Sequence, residues 1–103
     1  EQALLLAQAA IGLDQARAGA RDPHKLATAL EANLEVWVSI RAIVDDPSSL
    51  IADNIRDNLR RLCDFIAEST FTHGINMTES RINTLININF QISEGLLEGA
   101  KRR

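Results

Sequence analysis

The sequence is poor in the residues that build sheets, disulfides and membrane spans. It has no tyrosine, and aromatic residues make up 4% of its 103 positions. Its β-branched residues fall at helical spacing rather than in alternation, so strand signals are scarce. The single cysteine, Cys63, excludes an intramolecular disulfide and fits a reducing cytoplasm. No apolar run approaches the ~20 residues that cross a bilayer, because charges interrupt the chain throughout. A basic excess is missing as well: the formal net charge is −3 at pH 7, against the net positive field that a dedicated nucleic-acid binder carries. The opening Glu1-Gln2-Ala3 has neither a starting Met nor a basic segment, so neither an intact signal peptide nor a complete translated N-terminus is expected. What remains is 46% hydrophobic with two prolines, the composition of one small all-α domain spanning residues 1–103.

The breakers divide the chain into four helices. The first spans about 2–18 and is rich in Ala and Leu, which favour helix, with Gly19 as its stop. Asp22-Pro23 reads as an N-cap followed by proline at the first helical position, opening a second helix over 23–45. Pro47 forbids its continuation. Ser48-Ser49 offers caps for a third helix over about 50–72, stopped near Gly74. Asn76 with Glu79 three residues on resembles a capping box for a fourth helix over about 78–97, ending at Glu98-Gly99 with the basic Lys101-Arg102-Arg103 beyond. The short connections predict a single bundle with mostly antiparallel neighbours.

Placing residues at 100° per position separates these helices by kind. In the third, Ile51, Ile55, Leu59, Leu62, Phe65 and Ile66 share one side. Charged residues fill the other, with Asp57–Arg61 and Arg60–Asp64 spaced for i,i+4 pairs. Arg56, Arg60 and Arg61 could form a phosphate-binding patch, but the interleaved acids make a solvated face the better reading. The second and fourth helices have apolar arcs far wider than the ~100° that a one-sided helix needs. The second centres on Leu26, Leu30, Trp37, Ile40 and Val44, with Val36 and Ile43 on one flank and Leu34 and Val38 on the other. The fourth centres on Ile82, Leu85, Ile86, Ile92 and Leu96, flanked by Ile88 on one side and Phe90 and Leu97 on the other. Either both helices are central, or apolar surface is left for a partner. One amide sits in each arc, Asn33 and Asn89, and burial obliges each to find hydrogen bonds. One reading is a structural contact between them that fixes helix register; the other is recognition of a partner's backbone. Arg41 also projects from an apolar side, its stem reaching toward an acidic neighbour.

No catalytic constellation is present. His24 and His73 lie beside helix ends without metal-ligand spacing. Cys63 sits at the edge of the third helix's stripe with no sequence-adjacent histidine, which predicts a buried inert thiol. Asp45-Asp46 precedes a proline in an exposed turn, where acids are expected to titrate normally. Gly12 and Gly95 fall within helices, where they permit close helix packing rather than chemistry. The reading is of a protein with no catalytic residues and no metal or cofactor.

Three stretches together resemble a known family. They are Asn33-x-x-x-Trp37; the segment Leu50-Ile51-Ala52-Asp53-Asn54-Ile55-Arg56; and Leu85-Ile86-Asn87-Ile88-Asn89 followed by Ile92-Ser93-Glu94-Gly95-Leu96. The pattern is similar to that of the FlaF family of flagellar biosynthesis regulators, over about Leu26 to Gly99, with the C-terminal run its most specific part. Two positions depart from it: Ile51 stands where the family often has Pro, and Phe90 where an Arg commonly follows the Asn. The resemblance implies a non-enzymatic cytoplasmic factor that promotes flagellin synthesis and export, most simply by binding flagellin as a secretion chaperone. FlbT, a repressor of flagellin translation, is a second candidate partner; a membrane, a nucleic acid and a small-molecule substrate are not expected. On this reading Val36, Val38, Ile43, Ile88, Phe90 and Leu97 are the candidates for an apolar partner groove, and Asn33, Trp37, Asn89, Gly95 and Leu96 carry the structural motif. The alternatives are a regulator that touches flagellin mRNA through Arg102, Arg103 and the arginines of the third helix, and a structural homo-oligomer.

Overall fold

The computed structural model describes residues 2–18 and 22–101, the last three of these by their backbone alone. Four helices account for most of them: α1 (Gln2–Arg17), α2 (Pro23–Asp45), α3 (Asp53–His73) and α4 (Glu79–Lys101), with a 3₁₀ turn over Gly74–Asn76 between the last two. No strand occurs among the described residues.

α1 lies between α2 and α4 and packs most extensively on α4, while α3 packs on the far side of α2. The cross-links give the directions. Ser93 on α4 reaches Ala3 and Asn89 reaches Leu6, so α1 and α4 run antiparallel. Arg41 on α2 meets Asp64 on α3, whereas Val44 and Asp45, further along α2, meet Arg56 and Arg60, earlier on α3, so that pair is antiparallel too. The buried face of α1 explains its central place. It consists of Ala3, Leu6, Ala9, Ala10, Leu13 and Ala16, and four alanines among six positions let two neighbouring helices approach closely. Leu26, Leu30, Trp37, Ile40 and Val44 of α2, Ile66 of α3, and Ile82 and Leu85 of α4 complete the core, with Met77 closing it beneath the 3₁₀ turn.

The helix boundaries follow the local chemistry, with three corrections. Asp22 caps α2 by accepting a hydrogen bond from the backbone N–H of His24 at 2.9 Å, and Pro23 follows. α3 begins at Asp53 rather than near Leu50. Ser48 does not cap it, because its hydroxyl and backbone N–H both turn back to Asp46 Oδ1, at 2.8 and 2.9 Å, and Ala52 stands at the N-cap with no side-chain bond. At α4 the cap is Thr78, whose Oγ1 accepts from the N–H of Arg81 at 3.2 Å; Asn76 is spent in the 3₁₀ turn instead. α4 also continues through Gly99 to Lys101. Gly19, the expected stop of α1, lies outside the described residues, as do Arg102 and Arg103.

The charges on α3 differ from the expected i,i+4 ladder. Arg60 bonds to Asp45 at 3.0 Å and approaches Asp57 at 3.9 Å, while Asp64 takes Arg41 at 2.6 Å. A charge facing an oppositely charged helix across the bundle has a nearer partner there than one turn along its own axis. All these side chains are well exposed, so the pairs orient α3 on α2 more than they stabilise it.

Candidate functional site

Three residues of the sequence motifs meet in the core. Trp37 Nε1 donates to Asn89 Oδ1 at 2.9 Å, and Asn89 Nδ2 donates both to Asn33 Oδ1 at 2.6 Å and to the Leu6 carbonyl at 3.2 Å. Donor chemistry fixes the orientation of every amide. An indole N–H can only donate and a carbonyl can only accept, so Asn89 must turn its oxygen to Trp37 and its nitrogen to Leu6. Asn33 is then obliged to present its oxygen. Its own Nδ2 is left buried without a hydrogen-bond partner. Asn33 and Asn89 are both fully buried, and Asn89 ties α4 to α1 and α2 at once. One turn on, Ser93 Oγ donates to the Ala3 carbonyl at 2.7 Å. On the opposite side of Trp37, its backbone carbonyl accepts from Cys63 Sγ at 3.6 Å. Burial pushes the Cys63 thiol above the ordinary range. This cluster is the architectural centre, and its polar groups face inward.

The connection between α2 and α3 is held by one arginine. Arg56 donates to the carbonyl of Val44 in the last turn of α2, and to the carbonyls of Ser49 and Ile51 at 3.2 and 3.4 Å. It thereby satisfies carbonyls that the end of α2 and its turn leave open. Half-buried in this role, it is not part of a solvated cationic face. The neighbouring acids also depart from expectation. The hydrogen bond from Arg60 holds the Asp45 carboxyl below its usual range, and the backbone N–H of Ser48 does the same for Asp46.

The side of the bundle between α3 and α4 is incompletely closed. Near the 3₁₀ turn, Arg81 of α4 donates to Ser69 of α3 at 3.3 Å. Toward the other end lies a groove of about 550 Å³, with Leu50, Ile51, Ala52, Ile55, Asn58 and Leu59 on one wall and Gln91, Ile92, Gly95 and Leu96 on the other. A smaller recess of about 70 Å³ continues inward past Ile51, Leu59, Ile92 and Leu96 to Ile40, Ile43 and Val44. No lining residue carries a charge. Ile55, which the wheel assigns to the buried stripe of α3, is 51% exposed, Leu96 is 41% exposed, and Leu50 stands 93% exposed at the rim. A Cβ built on Gly95 would meet nothing within 4 Å, so the missing side chain serves no packing within the molecule and leaves the groove open instead.

The six expected groove residues do not converge on one cavity. Ile43 borders the inner recess. Val36 is half-buried and lines a different trough, between α1 and α2. Ile88 is half-buried against the core. Val38, Phe90 and Leu97 are 61%, 40% and 49% exposed and line neither groove nor recess. The groove is built instead from the centres of two apolar stripes, Ile55 and Leu59 on α3 and Ile92 and Leu96 on α4, together with the Leu50–Ala52 linker. Of the motif residues, Gly95 and Leu96 belong to this groove, whereas Asn33, Trp37 and Asn89 form the buried cluster. Among the described residues there is no metal-binding cluster of His, Cys, Asp or Glu, and no helix is long and apolar enough to cross a membrane.

In comparison with protein families, the model of a family described as flagellar protein FlaF matches residues 1–96 of the chain. Searches of curated proteins and of solved structures returned no match.

Proposed function

The chain belongs to the FlaF family of flagellar proteins, and from that premise we propose that it promotes flagellin synthesis and export by binding flagellin directly, as a secretion chaperone in the cytoplasm. Family membership gives the role in flagellar biosynthesis. The observation that supports the binding mode is the uncharged apolar groove between α3 and α4. Unassembled flagellin has disordered, amphipathic terminal segments, and such a segment folds onto a groove by burying anchors at i, i+3, i+4 and i+7. Ile55, Leu59, Ile92 and Leu96 offer two facing ridges for that contact.

The magnitudes suit a carrier that must let go. Four buried anchors contribute roughly 6–12 kcal/mol at ~1.5–3 kcal/mol each. Ordering a disordered segment costs about 2–5 kcal/mol of that, which leaves a moderate, reversible complex. RNA is the weaker candidate partner, because Arg56 and Arg60 are engaged with the Val44 carbonyl and Asp45.

Co-expression with flagellin followed by size-exclusion chromatography tests the proposal. A stoichiometric complex is expected, and it should persist in high salt because the groove holds no charge. Ile55→Glu and Leu96→Glu, both at exposed positions, should abolish it while circular dichroism stays unchanged. Recovery of no flagellin by the folded wild-type chain would overturn the direct-binding reading.

A further inference from the structure

A second trough runs between α1 and α2 and is separate from the flagellin groove. Two adjoining cavities of about 380 and 570 Å³ share Gly12, Ala29 and Ala32 as their floor. One end is bordered by Glu35 and the other by Lys25, with His24 beside it. Lys25 and Glu35 are ten positions apart on α2, roughly 15 Å along its axis. Neither has an ion-pair partner among the described residues. Gly12 sits within a helix, where glycine is an unfavourable choice. A Cβ there would meet nothing within 4 Å, so the packing of α1 inside its own molecule does not call for it.

We propose that this trough is a self-association surface, on which a second copy of the chain seats its own α1–α2 face about a two-fold axis passing near Gly12. The charge arrangement selects this occupant. A two-fold contact presents the same surface twice in opposite directions. A trough with an acid at one end and a base at the other therefore matches itself: Glu35 of each copy lies over Lys25 of its neighbour. At the crossing point, Gly12, Ala29 and Ala32 of both copies allow the backbones to come close, as small residues do at helix crossings. The surface lies apart from Ile55 and Leu96, so dimerisation does not depend on the flagellin reading.

Sedimentation of the whole chain across the micromolar range tests the proposal. A concentration-dependent monomer–dimer equilibrium is expected. Glu35→Lys alone and Lys25→Glu alone should each weaken dimerisation at least roughly tenfold, because like charges then oppose each other across the axis. The double reversal should restore it. Gly12→Cys places two thiols near the axis and should give a disulfide-linked dimer under mild oxidation, with buried Cys63 unreacted. All four variants alter exposed or half-exposed positions, and circular dichroism checks that each is folded. A chain that stays monomeric throughout overturns the proposal. So does a dimer indifferent to both single reversals, or a double reversal that fails to recover association.

Discussion

The indole N–H of Trp37 and the side-chain oxygen of Asn89 lie 2.9 Å apart although 52 positions separate them in sequence. Because Asn89 also donates to Asn33 and to the Leu6 carbonyl, its removal strands the Trp37 N–H and the Asn33 oxygen and cuts the tie to α1, whose Leu6 carbonyl keeps its helical bond. Asn89→Ala should cost about 3–5 kcal/mol, the sum of buried groups left unsatisfied. Asn33→Ala removes one bond and also deletes a donor that already lacks a partner, so its cost should be about 1–2 kcal/mol. Urea melts read by the fluorescence of Trp37, the sole tryptophan, measure both. Equal costs would show that the network is not centred on Asn89.

Trp37 is 1% exposed, and Trp37→Ala should destabilise the fold by about 3–5 kcal/mol through the cavity it leaves. Trp37→Phe keeps most of the volume and loses the donor, so roughly 1–3 kcal/mol is expected. A loss below about 1 kcal/mol for the alanine variant would contradict its place in the core.

Arg56→Ala should release the linker between α2 and α3, because three backbone carbonyls lose their common donor. A cost of about 1–3 kcal/mol is expected. Hydrogen exchange should rise selectively in the first turn of α3, while the Asn89 cluster keeps its protection.

Asp45 and Asp46 both have folded pKa values below the ordinary carboxylate value, Asp45 through Arg60 and Asp46 through the N–H of Ser48. A depressed carboxylate stabilises the fold above its unfolded pKa, and that contribution is lost as pH falls through the folded value. The urea midpoint should therefore be flat near neutrality and decline in acid. Asp45→Asn should reduce the slope of that decline, and an unchanged slope would remove Asp45 from the account.

Two glycines should respond with opposite signs. Gly74 has φ +49 at the end of α3, so Gly74→Ala should lower stability by about 1 kcal/mol or more. Gly95 is helical with open space where its Cβ would lie, so Gly95→Ala should raise stability by up to about 1 kcal/mol. Thermal melts of the pair decide this, and Gly95→Ala also narrows the groove between α3 and α4.

Much of the architecture is legible in the sequence because periodicity and punctuation are local. Asp22-Pro23 sets the start of α2 by chemistry contained in two residues. The boundaries missed are those where a longer-range partner intervenes. Ser48 is diverted to Asp46, and Arg56 claims the linker carbonyls, so α3 starts three residues late. Ile55 and Leu96 show the same limit on the groove. A helical wheel reports which side of a helix is apolar, but whether a neighbour covers that side depends on how α3 and α4 are placed relative to each other. The residues read as flanks, Val38, Phe90 and Leu97, are exposed singly, whereas those read as core line the opening. Uncharged residues at the ends of two apolar stripes, beside a helical glycine with no packing role, were the available signal.

The mating of α1 with α4 has a bearing on biosynthesis. The bonds from Asn89 to Leu6 and from Ser93 to Ala3 span 83 and 90 positions, so α1, made before the other three helices, finds its main mate only in α4, made after them. While α4 is still in the exit tunnel, α1 and α2 have emerged with Leu6, Leu13 and the Trp37 indole uncovered. Arrival of α4 is thus the step that closes the core, and it comes after α1, α2 and α3 have been made.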